Sequence, residues 1–273
     1  MNEQLKANYE WWNEAALLHA ESEYYDVEGF LKGKSTLRAV ELEKLGDVRG
    51  KKLLHLQCHF GMDTLSLARL GAKVTGVDFA DEAIRLAKSL NAKLGLDAEF
   101  VCSNIYDLPQ HLSGQYDIVY TSYGVLCWLN DLQRWAEIAA HFLKPGGTFL
   151  VVEGHPLADL FELTDRELRI AGSYFYDETP YIETEDGTYA VPDANKKYKT
   201  THEWSHSISE IMQALWSAGL NVTSFEEYPY CFYEKFPGLM KENEDGWWEF
   251  HDENPRLPMM FSLTAAKEEA ECI

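Results

Sequence analysis

The sequence predicts an α/β fold. It is a Rossmann-like, doubly wound, seven-stranded and mostly parallel sheet with helices on both faces, an N-terminal helical cap and an insertion after the fifth strand. Two observations carry this prediction. Between residues 51 and 153, short apolar runs alternate with amphipathic helical patterns, and polar residues recur where the apolar runs end. Strands separated by helices of this length need right-handed crossovers, which makes neighbouring strands parallel.

Residues 1–50 read as the helical cap, aromatic at Tyr9, Trp11, Trp12, Tyr24 and Tyr25. "KLLHLQ" and "KVTGVD" suit strands covered on both faces. Between them "MDTLSLARLG" places Leu65, Ala68 and Leu70 in a helical pattern that Gly71 stops. "ADEAIRLAKSLNAKLG" puts Ala83, Ile84, Ala87, Leu90 and Leu94 on one side, with Gly95 as its stop. "AEFVCSN", "YDIVYTS" and "GTFLVVE" are the next strands, and Trp135, Ile138, Ala139 and Phe142 face inward from the helix before the last. Ser207 and Glu210 form a capping box ahead of Ile208, Ile211, Met212 and Leu215, and "NVTSFEEY" and "PMMFSLTAAK" supply strands six and seven. The domain thus spans 51–273, with 154–206 as an insertion after the fifth strand. The loop "PYCFYEKFPGLMKENEDGWWEFHDENPRL" is too long for a simple connection.

Composition narrows the function. Against 24 Lys and Arg stand 45 Asp and Glu, a net charge of −21, with no basic run beyond a pair. That surface repels polyanions, which argues against nucleic acid or an anionic membrane as partner. No window approaches eighteen consecutive apolar residues and no leader pattern precedes the first helix, so a soluble cytoplasmic protein is expected. Cys58, Cys102, Cys127, Cys231 and Cys272 include no C-x-x-C, consistent with a reducing compartment; the first three are expected to pack in the core. The histidines form no metal pattern: His202 and His206 lack an H-E-x-x-H-type carboxylate, and His202 precedes the helix cap at Ser207, so the pair does not share a helix face.

Ligands of open parallel sheets sit outside the carboxyl ends of the strands. The turn "LQCHFGMD" follows the first strand, Asp78 ends the second seventeen residues beyond Gly61, Asn104 ends the third, and Ser122 and Tyr123 end the fourth. These positions converge on one crevice.

In this order the residues resemble the class I S-adenosylmethionine-dependent methyltransferases. The family's first, glycine-rich motif falls on "LLHLQCHFG", where His55 stands for the acid, Gln57 and His59 replace two glycines and Gly61 is kept. The resemblance implies S-adenosyl-L-methionine as cofactor, with Asp78 on the ribose hydroxyls, Phe79 and Ile105 beside adenine, and Asn104 near its amino group. Gln57, His59 and Ser122 complete the expected cofactor set. A sulfonium ligand has no phosphate, so its turn tolerates Cβ atoms that a pyrophosphate would exclude. Asp78 as a plain helix cap, Gln57 and His59 as satisfied turn residues and His55 as a hydrogen-bonded core residue stay open.

The expected reaction is in-line methyl transfer to a small-molecule acceptor, with His155 and Tyr123 as the proton-handling candidates. Tyr9, Trp12 and His19 of the cap, and a hairpin turning at Asp186-Gly187 in the insertion, are expected to close over the cleft. Two alternatives remain. A nicotinamide-dependent oxidoreductase would need the missing glycines, whereas a non-catalytic S-adenosylmethionine-binding protein would not.

Overall fold

The computed structural model describes residues 2–251 and 256–268. Helices α1 (Glu3–Glu21), α2 (Val27–Leu31) and α3 (Ala39–Leu45) precede β1 (Lys52–Leu56). Then come α4 (Met62–Arg69), β2 (Lys73–Asp78), α5 (Asp81–Leu94), β3 (Glu99–Cys102), α6 (Leu108–His111), β4 (Tyr116–Ser122), α7 (Leu132–Phe142) and β5 (Leu143–Gly154). The insertion holds β6 (Phe161–Thr164), β7 (Glu167–Ile170), β8 (Tyr181–Thr184) and β9 (Thr200–Glu203). After it come α8 (Ile208–Ser217), β10 (Leu220–Tyr228), β11 (Tyr230–Cys231), β12 (Met240–Glu242), β13 (Trp248–Phe250) and β14 (Met260–Lys267).

The main sheet has seven strands in the order β10-β14-β5-β4-β1-β2-β3. Neighbours from β5 to β3 pair in parallel, and β14 runs antiparallel to both β5 and β10. All seven are the apolar runs picked out in the sequence. Leu54, Leu56, Val119 and Phe149 face α7 and α8, while Leu53, Ile118, Tyr120 and Leu150 face α3 and α4. Both faces are dry, so the strands need no polar alternation. Strand order reverses between β1 and β4, and the crevice opens there.

Local signals explain most helix ends. The Ser207–Glu210 capping box is formed, and the Asp131 carboxylate caps α7 by accepting the Arg134 N–H at 2.8 Å. Leu70 is an exception: it lies beyond the end of α4 and is exposed, so only Leu65 and Ala68 of that stripe turn inward. The Asp186-Gly187 hairpin is also displaced. β8 pairs with β9 across residues 185–199, because the 181↔203 register places the strands that far apart in sequence. A tight two-residue turn occurs instead at Asp165-Arg166, between β6 and β7, with both residues at positive φ. No glycine marks that turn. The long segment after β10 folds back as a small sheet, β11-β13-β12, apart from residues 252–255, which lie outside the described residues.

Gly61 is irreplaceable on two counts. Its φ is +75°, and an added Cβ would stand 2.6 Å from the Phe100 ring. Gly61→Ala should therefore destabilise by about 2–4 kcal/mol, lowering Tm by about 5–10 °C in thermal denaturation. Gly95→Ala, also at positive φ but facing open space, should cost only about 1 kcal/mol.

Candidate functional site

A cavity of about 1630 Å³ opens over the ends of β1, β2 and β4. Its wall includes Gln57, His59, Gly61, Asp78, Phe79, Asn104, Ile105, Ser122 and Tyr123, so nine of the ten singled-out residues meet there. His155 does not line it. His155 is buried at the end of β5, where its Nε2 faces Glu227 at 2.9 Å and its Nδ1 accepts the Leu157 N–H at 3.1 Å. Both ring nitrogens are engaged on the antiparallel side of the sheet, which leaves none for an acceptor in the cavity.

The turn after β1 is the organising element. Gln57 and His59 take φ of 55° and 52°, the left-handed region that glycine usually fills. Three of the turn's amides are already satisfied internally. Cys58 N–H donates to Val77 O at 2.8 Å, His59 N–H to Asp78 Oδ2 at 2.8 Å, and Gly61 N–H to Cys58 O at 2.9 Å. Asp78 Oδ1 also accepts the Ala80 N–H at 2.9 Å. Asp78 therefore turns the chain ahead of α5, whose N-cap position is Ala80 with no side-chain cap, and buttresses the turn after β1 while lining the cavity. Burial raises its pKa to about 6 against the pull of those amides.

Side chains of the turn reach in two directions. Gln57 Nε2 donates to Val125 O at 3.0 Å, tying the turn to the loop after β4, and its Oε1 is enclosed without a donor. His59 Nε2 meets His19 Nδ1 of α1 at 3.0 Å, and His19 Nε2 meets Thr188 Oγ1 of the insertion at 3.0 Å. Burial drives both imidazoles neutral, His19 to about 3 and His59 well below its ordinary value. Asn104 Oδ1 accepts the Tyr106 N–H at 2.9 Å, so it turns the chain while lining the cavity.

The cap and the insertion form one cover. Tyr9 bonds the Asp81 carboxylate and sets its ring edge-on to Phe79 at 6.0 Å, while Trp12 packs against Trp128 at 5.2 Å. Asn8 exchanges two 2.8 Å hydrogen bonds with the His202 backbone, and Glu14 accepts the N–H groups of Lys197 and Tyr198. Buried Lys196 places Nζ 3.7 Å from the centre of the Trp11 ring.

Several polar groups escaped the sequence reading because nothing in their own segments marks them. Buried Glu153 at the end of β5 accepts N–H groups from Gly124, Val125, Leu126 and Gly154, and so shapes the loop after β4. Half-buried Glu183 and Glu203 face the cavity from the insertion. Cys102, expected in the core, is exposed, and its thiol donates to Asp81 Oδ1 at 2.9 Å. His55 is the core residue of the alternatives left open. Its Nδ1 lies 2.8 Å from Thr64 Oγ1, and burial lowers its pKa to about 3. Among the described residues no group of three or more His, Cys, Asp or Glu is placed to hold a metal ion, and no helix is long and apolar enough to cross a membrane.

Fully buried Glu41 on α3 lies beneath this site with neither carboxylate oxygen well bonded, near the enclosed Tyr123 and Tyr120 hydroxyls. Burial, then the charge of Asp63, raises its pKa to about 7. The folded state therefore holds a proton that an unfolded glutamate, near 4.5, has released. Its contribution is complete below 4.5 and is lost as pH rises through about 7. Glu41→Gln should flatten the fall of stability between pH 5 and 8 by up to ~3 kcal/mol relative to the parent protein, measured by denaturant titration at each pH.

Comparison with known proteins agrees with this architecture. A family model described as a methyltransferase domain matches residues 53–147. The ubiquinone biosynthesis O-methyltransferase of Escherichia coli O7:K1 is 33% identical over 130 residues, covering 46% of this chain and 54% of that protein. The chain thus spans about half the length of the curated relatives it matches. An S-adenosylmethionine-dependent methyltransferase from Mesorhizobium loti aligns with TM-score 0.60 and 19% identity over 87% of this chain and 100% of its own. Another from Methanosarcina mazei aligns with TM-score 0.56 and 19% identity over 86% and 99%. Residues 53–147 thus match a methyltransferase-domain model, and the chain shares its fold with the S-adenosylmethionine-dependent methyltransferases from Mesorhizobium loti and Methanosarcina mazei.

Proposed function

We propose that this protein is an S-adenosylmethionine-dependent methyltransferase acting on a small-molecule acceptor in the cytoplasm. The observation that carries the reading is the internal satisfaction of the first turn. A pyrophosphate needs free, converging N–H groups, yet Cys58, His59 and Gly61 have already donated theirs. The cations in the cavity wall are committed as well. Lys34 pairs with Asp26, Lys199 with Asp186 and Lys235 with Asp159, while Arg38 donates to Gly246 O and Phe232 O. A phosphate-free adenosine sulfonium suits such a wall, and a dinucleotide does not.

The residues present fit that cofactor. Asp78 keeps acceptor capacity for two sugar hydroxyls, Phe79 and Ile105 offer apolar faces for the base, and Gln57 Oε1 awaits a donor such as an ammonium. The bound cofactor supplies an activated methyl group. The chain's part is to hold the acceptor in line, exclude water beneath the aromatic cover and handle a proton where the acceptor carries one. A non-catalytic binder would need only the cofactor side, whereas here the cavity continues past it to Phe161, Glu183, Glu203 and Tyr233. The acidic surface and the match to a ubiquinone biosynthesis O-methyltransferase support a small acceptor over a polyanion.

S-adenosylhomocysteine at about 100 times its Kd should stabilise the protein by ~2.7 kcal/mol, a Tm rise of several degrees, while NAD(H) should leave Tm unchanged. The reverse pattern in a thermal-shift assay would reject the reading. Asp78→Asn should weaken S-adenosylhomocysteine about 10–100-fold by calorimetry, since it loses one charged acceptor for the sugar.

A further inference from the structure

Eleven Asp and Glu residues line the cavity, and placement sorts the ones that bear on the reaction. Asp78 belongs to the second strand's end and Asp63 to the first turn of α4, while Glu41 is sealed beneath the floor. Glu183 and Glu203 sit elsewhere, on the inner face of the insertion. In the β8–β9 register Tyr181 opposes Glu203 and Glu183 opposes Thr201, so Glu183, Thr201 and Glu203 share one face as diagonal neighbours. All three line the cavity.

The backbone fixes Glu203 against the end of β4. The next residue, Trp204, donates its N–H to Cys127 O at 2.8 Å, in the loop beyond that strand. Gln57 reaches the same loop from the end of β1 through Val125 O. The ends of β1 and β4 are where strand order reverses, hence where the reacting centre of such a fold lies. The loop that borders that centre therefore holds the strand that carries Glu203, whose side chain lines the same cavity. One of its oxygens accepts from Thr201 Oγ1 at 3.1 Å, which orients the other, and no cation is bonded to it among the described residues.

We propose that Glu203 is the general base of the reaction, that Glu183 is the positioning residue that tunes it, and that the acceptor therefore bears a removable proton on a hydroxyl or amine. This rests on the methyltransferase reading above. The proton leaves the acceptor's oxygen or nitrogen for a Glu203 carboxylate oxygen. The lone pair so uncovered forms the bond to the methyl carbon, and the electron pair of the broken carbon–sulfur bond stays on sulfur. An acceptor that presents a carboxylate is disfavoured, because Glu183, Glu185 and Glu203 would all repel it.

The groups facing Glu203 come from every side. Glu183 lies on β8, Thr201 on its own strand, Asp159 in the turn before β6, Lys235 in the segment after β11, and Cys127 in the loop after β4. Burial first, and the negative charge of Glu183 second, raise its pKa to about 7, where a base can take a proton at cellular pH and still be reset. The limb of activity should thus rise with pH through about 7.

Two measurements test the proposal. In ligand-free protein labelled with carboxyl-¹³C glutamate, the resonance missing from Glu203→Gln should titrate near neutrality, and Glu183→Gln should move it downward. A midpoint at the ordinary glutamate value in the parent protein, or one indifferent to Glu183→Gln, overturns the assignment. In the second, labelled S-adenosylmethionine is incubated with a deproteinised small-molecule extract. Glu203→Gln should lose at least about 100-fold in label transfer while binding S-adenosylhomocysteine as the parent does. Equal transfer by Glu203→Gln overturns the base alone. A parent protein that binds S-adenosylhomocysteine but transfers nothing overturns the methyltransferase reading, and the base with it.

Discussion

The structure turns on two side-chain-bearing residues, Gln57 and His59, held where glycine would normally stand. Each left-handed residue costs about 1–2 kcal/mol, so something outside the turn must hold it there. The amide of Gln57 does so through the loop after β4, and the imidazole of His59 does so through His19. His59 also stacks edge-on with Trp12, at 5.3 Å, and with Phe60. A glycine turn would be indifferent to its cover. This turn is completed by it, and α1 becomes part of the proposed cofactor cleft rather than a decoration on the sheet.

That dependence extends to charge. His19 and His59 touch each other, and two imidazolium ions there would repel, so burial and contact agree on neutrality. Neutral rings can share a hydrogen bond through either tautomer and can pass it on to Thr188. The imidazole pair thus adds no positive charge to the wall of the proposed cofactor cleft. Lys196 differs: it keeps a positive charge in the cover, with its ammonium resting on the Trp11 ring, although burial lowers its pKa to about 8.

Much of this was legible in the sequence, because a parallel sheet shows as apolar runs and its cleft as the polar residues that close them. All seven strands, the capping box and the cluster around Asp78 came from local pattern plus topology. The illegible part depends on contacts between distant segments. His155 looked available because it stands just past a strand, but β5 pairs with β14 there, and Glu227 reaches it from β10 on the far side of β14. The β8–β9 pairing was hidden because a fifteen-residue excursion separates strands of four residues each, and Asp186-Gly187 imitates a turn inside it. Glu203 carried no signal at all. Its meaning comes from the Trp204 N–H bond to Cys127 and from the diagonal neighbour on β8.

These pieces make the cover and the acceptor side a single assembly. β9 is bound on one flank by Asn8 of α1, through paired bonds to His202, and on the other by Cys127 of the loop after β4, through Trp204. Glu203 lies between those two anchors. An α1 displaced from the cleft would release His202, and with it the strand that carries the proposed base. The buried position of Glu153 supports this coupling from below, since its four backbone bonds hold the loop that receives β9 in a fixed shape.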